Sequence, residues 1–319
     1  MPKVSAIIPF DKEATLPLWG LLVLLVVCGH LCSVIGRGFS WASPAVAVFF
    51  FLSGYGLMKK RQNAGGVALK GGLARAAAKL LPTFFLASLA YYAYLKLTGR
   101  TIDLFSNIIH GSSSLPIPFT WYIPAIMALY AIFYCSDRLF RRDSQFCCAI
   151  VVGVALYWVL TALVFGWPFY WWKTIGGFVA GVFFSAQEEK VRSAMSNHPI
   201  RCYGVVAVGL AFVVLLQHLE NFPIRFAADH LFFALIGPAV ALVLYKFRLP
   251  RVGLAWLGAI SYEIYVVHGI FVTELNACLG NGAFYFITAL TCSVLCGWAL
   301  NWINRLMRIR MEKTKGTTS

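Results

Sequence analysis

The chain has 319 residues, of which 60% are hydrophobic, 16% aromatic and only 12% charged. A soluble domain carries roughly 25% charged residues, so these are too few to clothe a water-facing surface, and the composition predicts a polytopic membrane protein rather than a soluble one. The formal net charge of +15 follows from a basic membrane-facing side and asks for no nucleic-acid partner.

Ten apolar spans are predicted in chain order, at about 16–36, 43–58, 77–97, 119–135, 146–165, 169–186, 203–217, 227–245, 254–273 and 283–304. Each approaches the ~20 residues a crossing needs. Gly65-Gly66, Gly71-Gly72, Gly166-Trp167-Pro168 and Asn281-Gly282 punctuate them. The expected fold is an all-α transmembrane helical bundle: one integral membrane domain over 1–319, spanning about 16–304, with a basic cytoplasmic tail at 305–319. The first stretch is too long for the core of a signal peptide, and no small-residue cleavage site follows it. The nine cysteines fall mostly within apolar stretches and show neither a disulfide framework nor zinc spacing, so no metal site is expected.

Lys and Arg set the orientation. With the N-terminus in the cytoplasm, all but five of the 27 basic residues lie inside; Arg37, Lys96, Arg100, Lys173 and Arg225 remain outside. This asymmetry predicts cytoplasmic N- and C-termini and an even number of spans.

Ionisable groups within the spans are the candidates for chemistry, because a titratable side chain in hydrocarbon is costly. His30 lies deep in the uncharged segment Leu16–Gly36, about 20 Å from the inner face at 1.5 Å per residue. The ninth span reads SYEIYVVHGIF over residues 261–271 and runs in the same direction. His268 is therefore expected at the depth of His30, and Glu263 about 7 Å nearer the cytoplasm. Ser261, Tyr265 and His268 share a helical face and Glu263 lies off it. Two buried histidines at equal depth suggest one polar cavity; two independent helix–helix hydrogen bonds are the simpler alternative.

Other segments carry weaker signals. Ser53-Gly54 interrupts an aromatic run in the second span, and Gly54 with Gly56 permits close backbone approach. Lys59, Lys60, Arg61, Arg75 and Lys79 form an inner basic patch. It either sets topology alone or receives the phosphates of a nucleotide-bearing donor. Trp121 and Tyr122 belong to an interfacial aromatic belt or stack on a sugar ring. His110 and His218 read as solvated loop residues, whereas Asp229-His230 opens the eighth span near the outer surface and either simply lies there or lines a cavity mouth.

The ordered set LLVLLVVCGHL (21–31), FFFLSGYGLMKK (49–60), Arg75 with KLLP (79–82), FTWYIPA (119–125) and ISYEIYVVHGIF (260–271) resembles the acyltransferase-3 family of integral membrane O-acyltransferases. The resemblance implies transfer of an acyl group, commonly acetyl from acetyl-CoA, to a hydroxyl of a cell-envelope or exported glycan. It also implies a bacterial inner-membrane location and His30 as the first-span catalytic histidine. The family's usual first-span Arg, eleven residues earlier, is here Trp19, and its Arg-x-x-Arg before the Pro becomes Arg75 and Lys79, four apart.

On this reading the catalytic candidates are His30, His268, Glu263, Tyr265 and Ser53, with Tyr265, Ser53 or His268 stabilising an oxyanion and Glu263 orienting a histidine or staying protonated. Lys59, Lys60, Arg61, Arg75 and Lys79 meet acyl-CoA, the donor substrate. Trp121, Tyr122, Asp229 and His230 meet a glycan or lipid-linked sugar acceptor. No permanently bound cofactor is expected, and the remaining partner is the lipid bilayer. Two alternatives stay open: a non-catalytic relative that binds or helps export a glycan, and a proton-coupled transporter, against which stands the lack of a detectable repeat. Reporter fusions after Lys315 and within the 59–75 loop are expected to read as cytoplasmic; an exoplasmic C-terminus would contradict the orientation and the depth matching built on it.

Overall fold

A computed structural model describes residues 10, 12–38, 41–65 and 69–316. Lys3 and the Gly66 half of the Gly65-Gly66 turn lie outside the described residues. Within the described residues the fold is all-helical, without strands, as hydrocarbon demands of a backbone that must satisfy its own N–H and C=O groups. Thirteen helices are described: α1 Lys12–Val34, α2 Ala42–Asn63, α3 Gly72–Leu97, α4 Leu104–Ile109, α5 Tyr122–Leu139, α6 Asp143–Val159, α7 Gly176–Ala186, α8 Glu188–Asn197, α9 Pro199–Gln217, α10 Phe222–Lys246, α11 Leu254–Ala259, α12 Ser261–Leu279 and α13 Ala283–Gly316. A short π-helix, Leu160–Val164, extends α6. Local chemistry sets the ends. Pro199 opens α9, Asn221 caps α10 by accepting from the Ile224 amide, and Gly280, at φ 67°, closes α12.

Each of the ten predicted spans coincides with helix, but seven helices among the described residues are long and apolar enough to cross a membrane. The span count of ten is thus approximate. The three that fall short are α5, which carries Asp137 and Arg138; α7, of only 11 residues; and the ninth span, which breaks at Ile260 into α11 and α12.

The helices sort into two compact units. Unit one comprises residues 1–15, 43–76 and 124–250; unit two comprises 16–42, 77–123 and 251–319. In unit one, α2 lies backbone-to-backbone on α7: a Cβ on Gly54 would come within 2.2 Å of the Phe178 carbonyl oxygen, whereas Gly56 has open space. In unit two, α1 and α11 touch in the same way. A Cβ on Gly258 would stand 1.9 Å from the Leu16 carbonyl oxygen, and one on Gly20 would stand 2.1 Å from that of Leu254. Small residues permit this approach, which dispersion then stabilises where no hydrophobic effect acts between helices.

Gly258→Ala is therefore expected to force α1 and α11 apart and to destabilise the protein by about 1–3 kcal/mol, the usual range for overpacking. Thermal unfolding in detergent checks this; a midpoint equal to wild type would contradict the contact.

Candidate active site

Unit two brings His30 and His268 together. The rings are 5.3 Å apart between centroids and inclined by 29°. Phe119 stacks on His30 at 4.1 Å and lies 6.1 Å from the His268 ring. His30 is half-buried, whereas His268 is 0% exposed. Nδ1 of His268 lies 2.6 Å from the Tyr265 carbonyl oxygen. A carbonyl can only accept, so Nδ1 carries the proton and Nε2 is left with its lone pair. That Nε2 is buried and has no hydrogen-bond partner among the described residues. A buried polar atom of this kind costs free energy unless something meets it.

The loop before α5 is built to hold Phe119 against the histidines. Phe119 has φ 64°, the left-handed conformation that a bulky residue avoids. Two contacts impose it. The Tyr265 hydroxyl donates to the Phe119 carbonyl oxygen at 2.6 Å, and Pro118 presses so close to α12 that a Cβ on Gly269 would lie 1.9 Å from its carbonyl oxygen. A strained backbone held by its surroundings marks a site worth a functional hypothesis. Tyr122 stands edge-on to Tyr265 at 5.5 Å, and Trp121 is buried beside it in sequence. The aromatics expected at an interfacial belt thus help to wall this unit: Trp121 faces protein, not lipid or water.

Glu263 is expected from the sequence to orient a histidine or to stay protonated. Its carboxylate does not orient a histidine. Oε1 accepts from Asn301 Nδ2 at 3.0 Å and from Asn304 Nδ2 at 3.4 Å, and Asn304 Nδ2 also reaches Thr83 Oγ1 at 2.8 Å. This network ties α12 to α13 and α3. Tyr265 likewise has its single O–H donated to Phe119, so in this arrangement it shapes the loop rather than presenting a free donor. A second network was not anticipated: Glu274 accepts from Tyr91 at 2.8 Å and Tyr94 at 3.1 Å and pairs with Arg100 at 2.5 Å.

The other sequence candidates belong to unit one, apart from Lys79. Ser53 shares a hydrogen bond with the Tyr130 side chain. Lys59 pairs with Glu188 at 2.5 Å, a carboxylate that also accepts from Tyr55 and Tyr245 at 2.9 and 3.1 Å. Arg61 is buried, 4% exposed. Its Nε donates to Asp137 at 3.0 Å, its Nη1 to Asp143 and its Nη2 to the Arg141 carbonyl at 2.9 Å, with the Phe146 ring beneath it. Two of the five cations expected to meet the donor are thus already held by carboxylates. Lys60 and Arg75 are exposed in unit one, and Lys79 is exposed in unit two. Asp229 accepts from Gln217 at 2.8 Å. His230 Nδ1 donates to the Phe226 carbonyl at 2.8 Å, and its ring stacks on Trp172.

The family model of the acyltransferase-3 domain, described as an acyltransferase domain, matches residues 19–302, nearly the whole chain. The chain belongs to the acyltransferase-3 family. It is an acyltransferase that moves acyl groups other than aminoacyl groups, and its apolar helices agree with a multi-pass membrane protein. No curated protein and no solved structure gives a significant match. The match begins at Trp19 and includes His30, Phe119 and His268.

Within this acyltransferase, Glu263→Gln is expected to leave stability nearly unchanged, because an amide oxygen still accepts from Asn301. Glu263→Leu should cost about 1–3 kcal/mol by leaving buried amides unpaired. Unfolding midpoints of the two variants compare the cases; equal midpoints would contradict the network.

Proposed function

We propose that the protein moves an acyl group, acetyl in the first instance, from cytoplasmic acyl-CoA to a hydroxyl of a cell-envelope or exported glycan. The observation that carries this reading is the half-buried His30, stacked on Phe119 and paired with a His268 whose Nε2 is unmet. His30 is the general base. It takes the proton of the acceptor hydroxyl as that oxygen attacks the thioester carbonyl; the C–S bond breaks and the proton passes to the departing CoA thiolate. The Nε2 lone pair of His268 accepts a hydrogen bond from the acceptor and holds it in reach of His30. Positioning of this kind converts an encounter into an effectively intramolecular step.

The donor's phosphates call for cations. Arg75 and Lys79, four residues apart and both exposed on α3, support that requirement, as does Lys60. Lys59 and Arg61 serve it indirectly, by fixing the end of α2 through Glu188, Asp137 and Asp143. The partly exposed face of Tyr122 suits a sugar ring, whereas the buried Trp121 backs the wall behind it. The proton-transporter reading has no comparable support, because Glu263 is tied into an amide network rather than into a relay with either histidine.

His30→Ala is expected to lower acyl transfer by about two to four powers of ten while the protein still inserts and folds. The rate of transfer from acetyl-CoA to an envelope glycan, measured in proteoliposomes, checks this, and full activity in the variant would overturn the base assignment. Trp19→Arg should leave the rate unchanged or raise it. A wild-type chain that is inert with every acyl-CoA, and active only as Trp19→Arg, would show it to be an inactive relative.

A further inference from the structure

Unit one contains an open pocket of about 620 Å³, within the ~300–1,000 Å³ typical of small-molecule sites. The start of α3 and the end of α5 wall it. Leu69, Leu73 and Tyr134 supply apolar surface, and Lys70 and Arg138 stand at its edge. The Tyr134 ring is seated on Gly72, where a Cβ would come within 2.1 Å of it, and the Arg75 guanidinium lies against the Gly71 turn, 3.3 Å from where a Cβ would stand.

The charge balance of this pocket is one-sided. Its acidic lining residue, Asp137, is buried and fully engaged: Oδ1 takes the Arg61 Nε–H at 3.0 Å and Oδ2 the Leu69 N–H at 2.8 Å. Arg61, shared with the exposed Asp143, thus pairs with Asp137 from within, and Asp137 fixes the Leu69–Gly72 turn in return. Lys70, Arg75 and Arg138 are exposed, and no carboxylate pairs with them among the described residues. Orientation signalling explains basic residues in a loop. It does not explain why Lys70 and Arg138 line a cavity whose own acid is already paired, with Arg75 beside its Gly71 turn.

We propose that this pocket binds a phosphate ester that carries an apolar or aromatic body. Arg138 and Arg75 offer planar donors to phosphate oxygens and Lys70 a point charge, while Leu69, Leu73 and Tyr134 receive the apolar part. The positive end of the α3 dipole adds to the same field. Two sources supply this chemistry: the nucleotide of coenzyme A and the headgroup of an anionic phospholipid. Only the first rests on the acyl-CoA reading given above.

The test uses the full chain in phosphatidylcholine nanodiscs. Coenzyme A is titrated by calorimetry, and phosphatidylglycerol mixed into the disc is followed by native mass spectrometry. The double variant Lys70→Gln/Arg138→Gln is compared with wild type and with Lys190→Gln, an exposed cation of α8 outside the pocket. At least one of the two ligands should bind wild type and Lys190→Gln alike. It should bind the double variant about tenfold or more weakly, should weaken with salt, and should do so without a change in unfolding midpoint. Selective loss of coenzyme A assigns the nucleotide; selective loss of phosphatidylglycerol assigns the lipid. If phosphatidylglycerol binding is lost in the double variant and coenzyme A never binds, the pocket stands while the donor reading falls. If neither ligand binds, or if whatever binds does so equally to wild type and double variant, the pocket proposal is overturned. Retained acyl transfer in the double variant would then leave the donor reading intact.

Discussion

In hydrocarbon no water stands by to satisfy a polar group, so each one must find its partner inside the protein. Nearly every feature of unit two follows from that constraint. The backbone closes into helices. The Glu263 carboxylate takes amide donors from Asn301 and Asn304. The Tyr285 hydroxyl donates to the Val272 carbonyl, and the Tyr262 hydroxyl to that of Leu80. Against this background of satisfied groups, three buried side-chain atoms of unit two have no partner among the described residues, Ser88 Oγ, Asn276 Oδ1 and His268 Nε2, and that of His268 stands beside His30. Exceptions to local consistency collect where a protein does chemistry.

The loop that carries Phe119 shows how the exception at His268 is maintained. A left-handed phenylalanine is held by the Tyr265 hydroxyl and by the approach of Pro118 to Gly269, next in the chain to His268. The residues that place the ring on His30 therefore come from the same helix that supplies the second histidine. A change at Tyr265 acts on the site through the backbone of the loop, without Tyr265 having to touch a substrate.

Much of this was legible in the sequence, and the limits have physical causes. Hydropathy locates the helices because lipid imposes length and composition together. It does not see the break at Ile260 or the shortness of α7, which tertiary packing decides. The pairing of His30 with His268 could be read from matched depth on two parallel spans. Phe119 could not, because its contribution is a backbone conformation rather than a reactive group. Helical periodicity places Glu263 off the histidine face but leaves it without a partner, because Asn301 and Asn304 lie about forty residues on, in α13; that pair, polar and three apart in an apolar span, was the available cue. Lys59 and Arg61 looked like free cations for the same reason: Glu188, Asp137 and Asp143 lie 76 to 129 residues further along the chain, and sequence alone does not bring them close.

The central claim is that His30 is the group on which acyl transfer turns. Its most direct test is graded modification of the histidines in the intact protein with diethyl pyrocarbonate, with peptide mass spectrometry reporting the modified fraction at each position. The account predicts that the fraction of transfer activity lost equals the fraction of His30 modified, while modification of the exposed His110 and His218 is without effect. Activity that survives complete modification of His30 would contradict it.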